Sequence, residues 1–330
     1  MDLFIQGFQE LFHISNFIYM NIGLLLGVVF GAIPGLTVIL CLVLFLPFTY
    51  SLAPIPSFMF LLGMYCAGSY GGSISAILIN TPGTPHAAAT MMDGYPMTQR
   101  GEGHKALNIA LYVSFFPQLV AGPIVRYTTI ADQIRYRNET FSDFSEGVRR
   151  FIIGFSKKII LSNNMALVSD AVFADEQRSV LYAWLGILAY AFQIFFDFSG
   201  YSDMAIGLGK LFGFHFLENF DYPYISRSVS EFWRRWHMSL GQWFRDYVYF
   251  PLGGSRVSSS GRLVFNLFVV WLLTGIWHGA SWNFVFWGLM YFLLLTVEKL
   301  SGYPGKFTQS WQKQFYRLFT LLCVLVGWVF

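Results

Sequence analysis

The chain has 330 residues, of which 55% are hydrophobic, 19% aromatic and only 12% charged, with a formal net charge of +3. Soluble domains carry about 25% charged residues, so the composition excludes an ordinary soluble protein. It indicates an all-α, polytopic integral membrane protein with broken and re-entrant helices, whose first partner is membrane lipid and which shows no sign of binding nucleic acid.

From the N-terminus, residues 11–92 form an 82-residue run without Asp, Glu, Lys or Arg. A span needs about 20 residues, so the run has room for three passes, or for two with re-entrant pieces. It is too long for the apolar core of a cleavable signal peptide, and none is expected. Pro34-Gly35 is expected to separate an apolar unit at 18–33 from one at 36–47. Gly71-Gly72 is expected to separate 58–69 from 74–79. Gly23, Gly27, Gly31 and Gly35 recur every fourth residue and make one helical stripe against which a second helix can pack closely. Ser73, Ser75, Asn80, Thr81 and Thr84 lie beside the second break. There they would either serve a substrate at an interrupted helix or belong to a kinked helix and an interfacial loop.

Residues 93–105 read as a polar connector. The basic residues between Arg126 and Lys158 suggest a cytoplasmic segment by the positive-inside rule, or an ordinary solvated loop. Residues 180–196 form a clean span ending at Asp197, and 204–216 are too short to cross straight. Asp197, Ser199, Tyr201 and Asp203 are expected to fix that re-entrant turn or to pair with arginines further on. With no His nearby in sequence they do not make a metal site. Residues 226–250 are amphipathic and basic. Arg227, Arg234, Gly241 and Arg245 fall on one helical face, and Trp233, His237 and Phe244 on a neighbouring one. Such an element suits the headgroup region or the wall of a tunnel for an anionic donor. Ion pairing with Asp221, Glu231 and Asp246 explains the arginines as well.

Residues 263–297 are a second uncharged run, of 35 residues. As one helix it would be about 52 Å long at 1.5 Å per residue, against a hydrocarbon core of about 30 Å. It is expected to break near Gly275–Gly279, which places His278 at the bend. An ionisable side chain in such a run marks a functional site by default. Residues 315–330 are largely apolar to the last residue, with Arg317 their one charge. Cys41, Cys66 and Cys323 lie in apolar segments without metal or redox spacing and are expected to be small buried residues.

Two resemblances follow from longer motifs. GVVFGAIPGL at 27–36, YGGSISAILINTPGTP at 70–85, and the DGYPM and GEGHKAL pieces of the connector resemble the large membrane subunit of the tripartite tricarboxylate transporters. The resemblance implies uptake of citrate-like carboxylates with a periplasmic binding protein and a small membrane subunit. FFPQLVAGPIVRY at 115–127, FQIFFDFSGYSDMAIGLGKLFGF at 192–214, EFWRRWHMSLGQWFRDYVYFPLGG at 231–254 and TGIWHGASWNFVFWG at 274–288 resemble the membrane-bound O-acyltransferases, closest to the alginate O-acetylation type. The chain therefore reads as a fusion joined near 106–112, with a transporter-like segment at 1–108 and an acyltransferase-like domain at 109–330 that lacks family spans at both ends.

The second resemblance implies a bacterial inner-membrane enzyme that moves an acetyl or other acyl group onto a hydroxyl of an exported polysaccharide. It makes His278 the catalytic base and His237 the second essential position. A sugar hydroxyl is a weak nucleophile at neutral pH, and a base within reach raises its reactivity by roughly 10²–10⁴-fold. Trp233, Arg234, Arg245, Trp277, Trp282 and Asn283 are the expected substrate-binding residues. Gly275 and Gly279 would let backbone or substrate approach the imidazole, while Trp287 fits an interfacial belt better than a channel wall. No bound cofactor and no metal are expected. The co-substrate is an acyl donor such as acetyl-CoA or another acyl carrier, and the partner is a polysaccharide acceptor or an acyl-relay protein. The rival functions are a carboxylate transport subunit and a fusion with neither activity.

Overall fold

The computed structural model describes residues 13–84, 87–102, 105, 108, 111–112, 122–176, 179–279 and 281–329. Among them every regular element is helical. Six helical segments are long and apolar enough to cross a membrane, so the chain is a multi-pass membrane protein. It folds as two compact units, one of residues 1–119 with 130–135 and one of 120–129 with 136–330. Most of the 106–112 junction and most of the FFPQ block at 115–127 lie outside the described residues.

The first unit holds α1 (Ile14–Ala32), α2 (Val38–Thr49), α3 (Pro54–Ile79) and α4 (Ala88–Gln99). The Pro34-Gly35 break is present, with Gly35 at φ +90 in the turn. Thr37 then caps α2 by accepting the Leu40 N–H at 3.2 Å. Only α1 and α3 of this unit are candidate spans, and α2 is a shorter apolar helix. Three of the four stripe glycines pack as expected, while Gly35 lies in the turn beyond the helix with no neighbour close to it. A Cβ on Gly23, Gly27 or Gly31 would strike the backbone of Phe60, Met64 or Gly68 on α3. Gly27→Leu is therefore expected to cost this unit about 3 kcal/mol through overpacking, read as a lower midpoint of thermal unfolding in detergent. An unchanged midpoint would contradict the close contact.

Three expectations for this unit fail. Gly71-Gly72 does not interrupt the chain, because α3 runs continuously to Ile79 and ends where Asn80 adopts a left-handed conformation. Ser75 donates back to the Gly72 carbonyl at 3.3 Å inside the same helix. The first part of the supposed connector is α4, which carries Pro96 inside it. Among the cysteines, Cys41 is buried but Cys66 is exposed and Cys323 only partly covered.

The second unit contains the two ends of α5 (Tyr127–Tyr136), whose residues 130–135 belong to the first unit, then α6 (Phe141–Ser156), a π-helical stretch at Lys157–Ser162 and α7 (Asn163–Ala174). It continues with α8 (Val180–Leu211), the short α9 (Val229–Arg235) and α10 (Met238–Phe244), then α11 (Ser260–His278), α12 (Trp282–Ser301) and α13 (Ser310–Trp328). The basic segment before Lys158 is thus largely helical, and its last part lies in the candidate span Phe141–Ala174.

Here α8 corrects the sequence reading. It is one 32-residue helix that passes straight through Asp197 and on to Leu211. The carboxylates do not end it because cations on the neighbouring helix neutralise them. Lys158 pairs with Asp197, while Arg150 and Lys157 reach Asp203 at 2.8 and 2.6 Å. The partners come from α6 and the π-helical stretch, not from the arginines after residue 226.

Candidate functional site

The 226–250 segment does not form the single helix that its periodicity suggests. It is split at Trp236 and His237, and His237 adopts a left-handed backbone, φ 45 and ψ 54. That conformation costs a non-glycine residue roughly 1 kcal/mol, and local bonds hold it. The Met238 N–H donates to the Asn219 carbonyl and the Asp221 N–H to the Arg235 carbonyl, at 2.9 and 3.0 Å. The loop before α9 is thereby laid against the turn that carries His237.

A buried carboxylate fixes the other end of α9. Glu298 of α12 accepts the Val229 and Ser230 N–H groups at 2.7 and 2.9 Å, and the Ser230 hydroxyl at 2.5 Å. It also accepts the Tyr316 hydroxyl of α13 at 2.9 Å. A carboxylate on the free N–H groups of a helix start is favoured by both hydrogen bonding and the helix dipole.

His278 is the last residue of α11, and Gly279 follows it outside the helix, so the expected break occurs at the expected place. Gly275 and Gly288 let α11 and α12 close on each other. A Cβ at Gly275 would meet the Phe284 backbone, and one at Gly288 the Trp271 carbonyl. Gly279 faces the Phe284 ring. Of the two expected uses, backbone or substrate, the contact at Gly275 is with backbone and that at Gly279 with the Phe284 side chain.

His237 and His278 both line one cavity of about 1030 Å³ in this unit. His237 is buried. Its Nδ1 lies 3.1 Å from Asn219 Oδ1, and the Phe198 ring meets it edge-on with centroids 4.7 Å apart. His278 is exposed and stands edge-on to Trp287 at 4.9 Å. Ser230, Trp233, Arg234, Arg245, Asn283 and Lys299 also line the cavity, and no Asp or Glu does so among the described residues.

Of the expected binding residues, Trp233, Arg234, Arg245 and Asn283 therefore reach the cavity. Trp277 and Trp282 are not among its lining residues and are exposed, 54% and 73%. Trp287 is a correction in the other sense. It is buried, not interfacial, and packs with Trp233 at 5.4 Å, and with Tyr291 at 5.1 Å. The ion-pairing reading holds for Arg227 with Glu231 and for Arg245 with Asp246 at 3.4 Å. Asp246 has a closer partner in Arg126 at 2.6 Å. Arg234 makes no ion pair among the described residues. Asn219, Glu298 and Lys299 were not singled out by sequence. The one available signal was that Glu298 is the first charged residue after the uncharged run.

His237 lies outside the six candidate spans. Burial, with the nearby His278 adding to it, pushes its pKa down to about 3. The folded value is below the unfolded one near 6.5, so protons bind the unfolded chain better. The stability contribution of neutral His237 is complete above pH 6.5 and is lost as pH falls from there toward 3. His237→Gln is expected to flatten that part of a plot of melting temperature against pH. A curve parallel to wild type would contradict the buried neutral imidazole.

Fold and cavity thus define a multi-pass helical membrane protein with a histidine pair facing one largely apolar cavity. Comparison with known proteins gives two kinds of similarity. Residues 17–133 match the tripartite tricarboxylate transporter TctA family. The chain is also 46% identical over 227 residues to the alginate O-acetylase AlgI of Pseudomonas putida, covering 68% of this chain and 45% of that protein. It is 40% identical over 231 residues to the peptidoglycan O-acetyltransferase of Helicobacter pylori, covering 68% and 43%. A teichoic acid D-alanyltransferase of Bacillus subtilis is 31% identical over 215 residues, covering 62% and 52%. The chain spans under half the length of the first two relatives.

Proposed function

We propose that the chain is a membrane-bound O-acyltransferase of the bacterial inner membrane, acting on a hydroxyl of an exported polysaccharide. One observation carries the reading. His237 and His278, 41 residues apart in sequence, face the same cavity. The similarity to alginate O-acetylase and peptidoglycan O-acetyltransferase supports the reaction class. The acyl donor would be a thioester such as acetyl-CoA or another acyl carrier. The cations Arg234, Arg245 and Lys299 on the cavity wall suit an anionic donor.

In this mechanism the acceptor hydroxyl attacks the acyl carbonyl carbon while His278 takes its proton. The new ester C–O bond forms, the C–S bond breaks, and the proton passes to the departing sulfur. His237 orients the substrate. Trp233 and Trp287 exclude water from the reacting atoms, which strengthens the electrostatic interactions inside. We read residues 1–108 as a transporter-like segment joined to this domain at 109–330. The match over 17–133 favours a second reading, carboxylate transport. Membranes containing the intact chain separate the two. Transfer of labelled acetyl groups to a polysaccharide acceptor supports the first, and uptake of labelled citrate without transfer would replace it by the second.

A further inference from the structure

We infer that Asn219 is a positioning residue for acyl transfer, holding His237 as the Nδ1–H tautomer with Nε2 left as a bare hydrogen-bond acceptor. The inference rests on the acyltransferase reading of the cavity and adds a residue and a protonation state to it.

The orientation of the amide is fixed by atoms whose roles are not in question. Asn219 is buried, 1% exposed. The backbone N–H of Ser239 can only donate, and it points at Asn219 Oδ1 at 3.2 Å. Ser239 Oγ accepts the Ile124 N–H at 2.9 Å, which leaves its own proton to donate to the same Oδ1 at 2.8 Å. On the other side, Asn219 Nδ2 donates to Ser202 Oγ at 3.1 Å. Turning the amide over would set its NH₂ against the Ser239 N–H, donor against donor. The atom facing His237 is therefore the oxygen. An oxygen cannot donate, so His237 Nδ1 must carry the proton.

A neutral imidazole has one N–H. Nε2 is then the lone-pair nitrogen, and no described protein atom takes it up as a hydrogen-bond partner. In water the Nε2–H form is the favoured one, so the protein selects the less common tautomer. The consequence is chemical. A bare Nε2 accepts a hydrogen bond from a hydroxyl and repels an oxyanion. His237 is thus built to receive a second hydroxyl of the acceptor, leaving the single proton of the attacking hydroxyl to His278, whereas a histidine serving the carbonyl oxygen would present an N–H. The residues that set this state lie far apart in sequence. Ile124 is in the GPIVRY block, Ser202 is on α8, Asn219 is in the following loop, and Ser239 opens α10.

The test is the ¹⁵N spectrum of the full chain, labelled at histidine, in detergent or nanodiscs, with His237 assigned from His237→Gln. Wild type is expected to show a protonated Nδ1 and a bare Nε2. Asn219→Ala is expected to move the proton to Nε2 and to lower kcat by about 10²-fold, the scale of one misplaced acid–base group, with KM little changed. Asn219→Asp keeps the acceptor oxygen, so it should retain the Nδ1–H form and recover most of the turnover. A wild-type His237 protonated at Nε2 would overturn the inference, even if the alanine variant did not fold. So would an unaltered tautomer in Asn219→Ala. A correct tautomer in a wild-type chain that transfers no acyl group would instead overturn the acyltransferase reading and leave the assignment of the proton standing.

Discussion

His278→Ala in the intact chain is expected to lower acyl transfer by about 10²–10⁴-fold, the range for removing a positioned general base, with little loss of stability. The asymmetry follows from where the ring sits. His278 ends α11 and is exposed, with packing from Trp287 and Phe284. Trp287 is held independently by Trp233, Trp271 and Tyr291. Truncating the histidine therefore widens an existing cavity instead of opening a void in a filled core. Initial rates with a labelled acyl donor, beside melting curves of both proteins, test both parts. Equal rates would remove His278 from the mechanism. A collapsed melting curve would make its role structural.

Glu298→Ala is expected to have the largest effect on stability, on the order of 4 kcal/mol. Four donors converge on this buried carboxylate, namely two backbone N–H groups of α9 and the hydroxyls of Ser230 and Tyr316. An unsatisfied buried donor costs about 1–3 kcal/mol, and relaxation recovers part of the sum. Glu298→Gln keeps the shape but turns an NH₂ toward donors, and should fall between alanine and wild type. Because α9 carries Trp233 and Arg234 and leads into His237, turnover should fall with stability. Thermal unfolding in detergent decides the point, and an alanine variant melting with wild type would show that Glu298 does not anchor α9.

Both residues illustrate what the sequence could convey. The bend at His278 was legible because 35 uncharged residues are too long for one straight crossing and glycines mark a place to break. The α1–α3 contact was legible because a four-residue glycine repeat has one packing consequence. Patterns of this kind depend only on neighbours along the chain. The misreadings came where a distant partner changed the local meaning. Asp197 looked like the end of a span, but Lys158 from another helix lets α8 continue. The arginines of 226–250 shared a helical face on paper, yet the left-handed turn at His237 cuts that face in two. The turn is held by Asn219, 18 residues earlier. Asn219 and Glu298 were invisible for the same reason. A single Asn in a loop or a single Glu at a span end has no periodicity, and its role exists only through the groups that the fold gathers around it.

The proposal that two distant histidines form one acyl-transfer site is tested most directly by a double-mutant cycle. Acyl transfer to a hydroxyl acceptor would be measured for wild type, His237→Ala, His278→Ala and the double variant, each as the full chain in membranes. Residues that act as a unit are strongly non-additive. The expected result is an active wild type, two severe single defects, and a double variant no worse than the worse single. Additive defects, or a wild-type rate equal to that of the double variant, would contradict it.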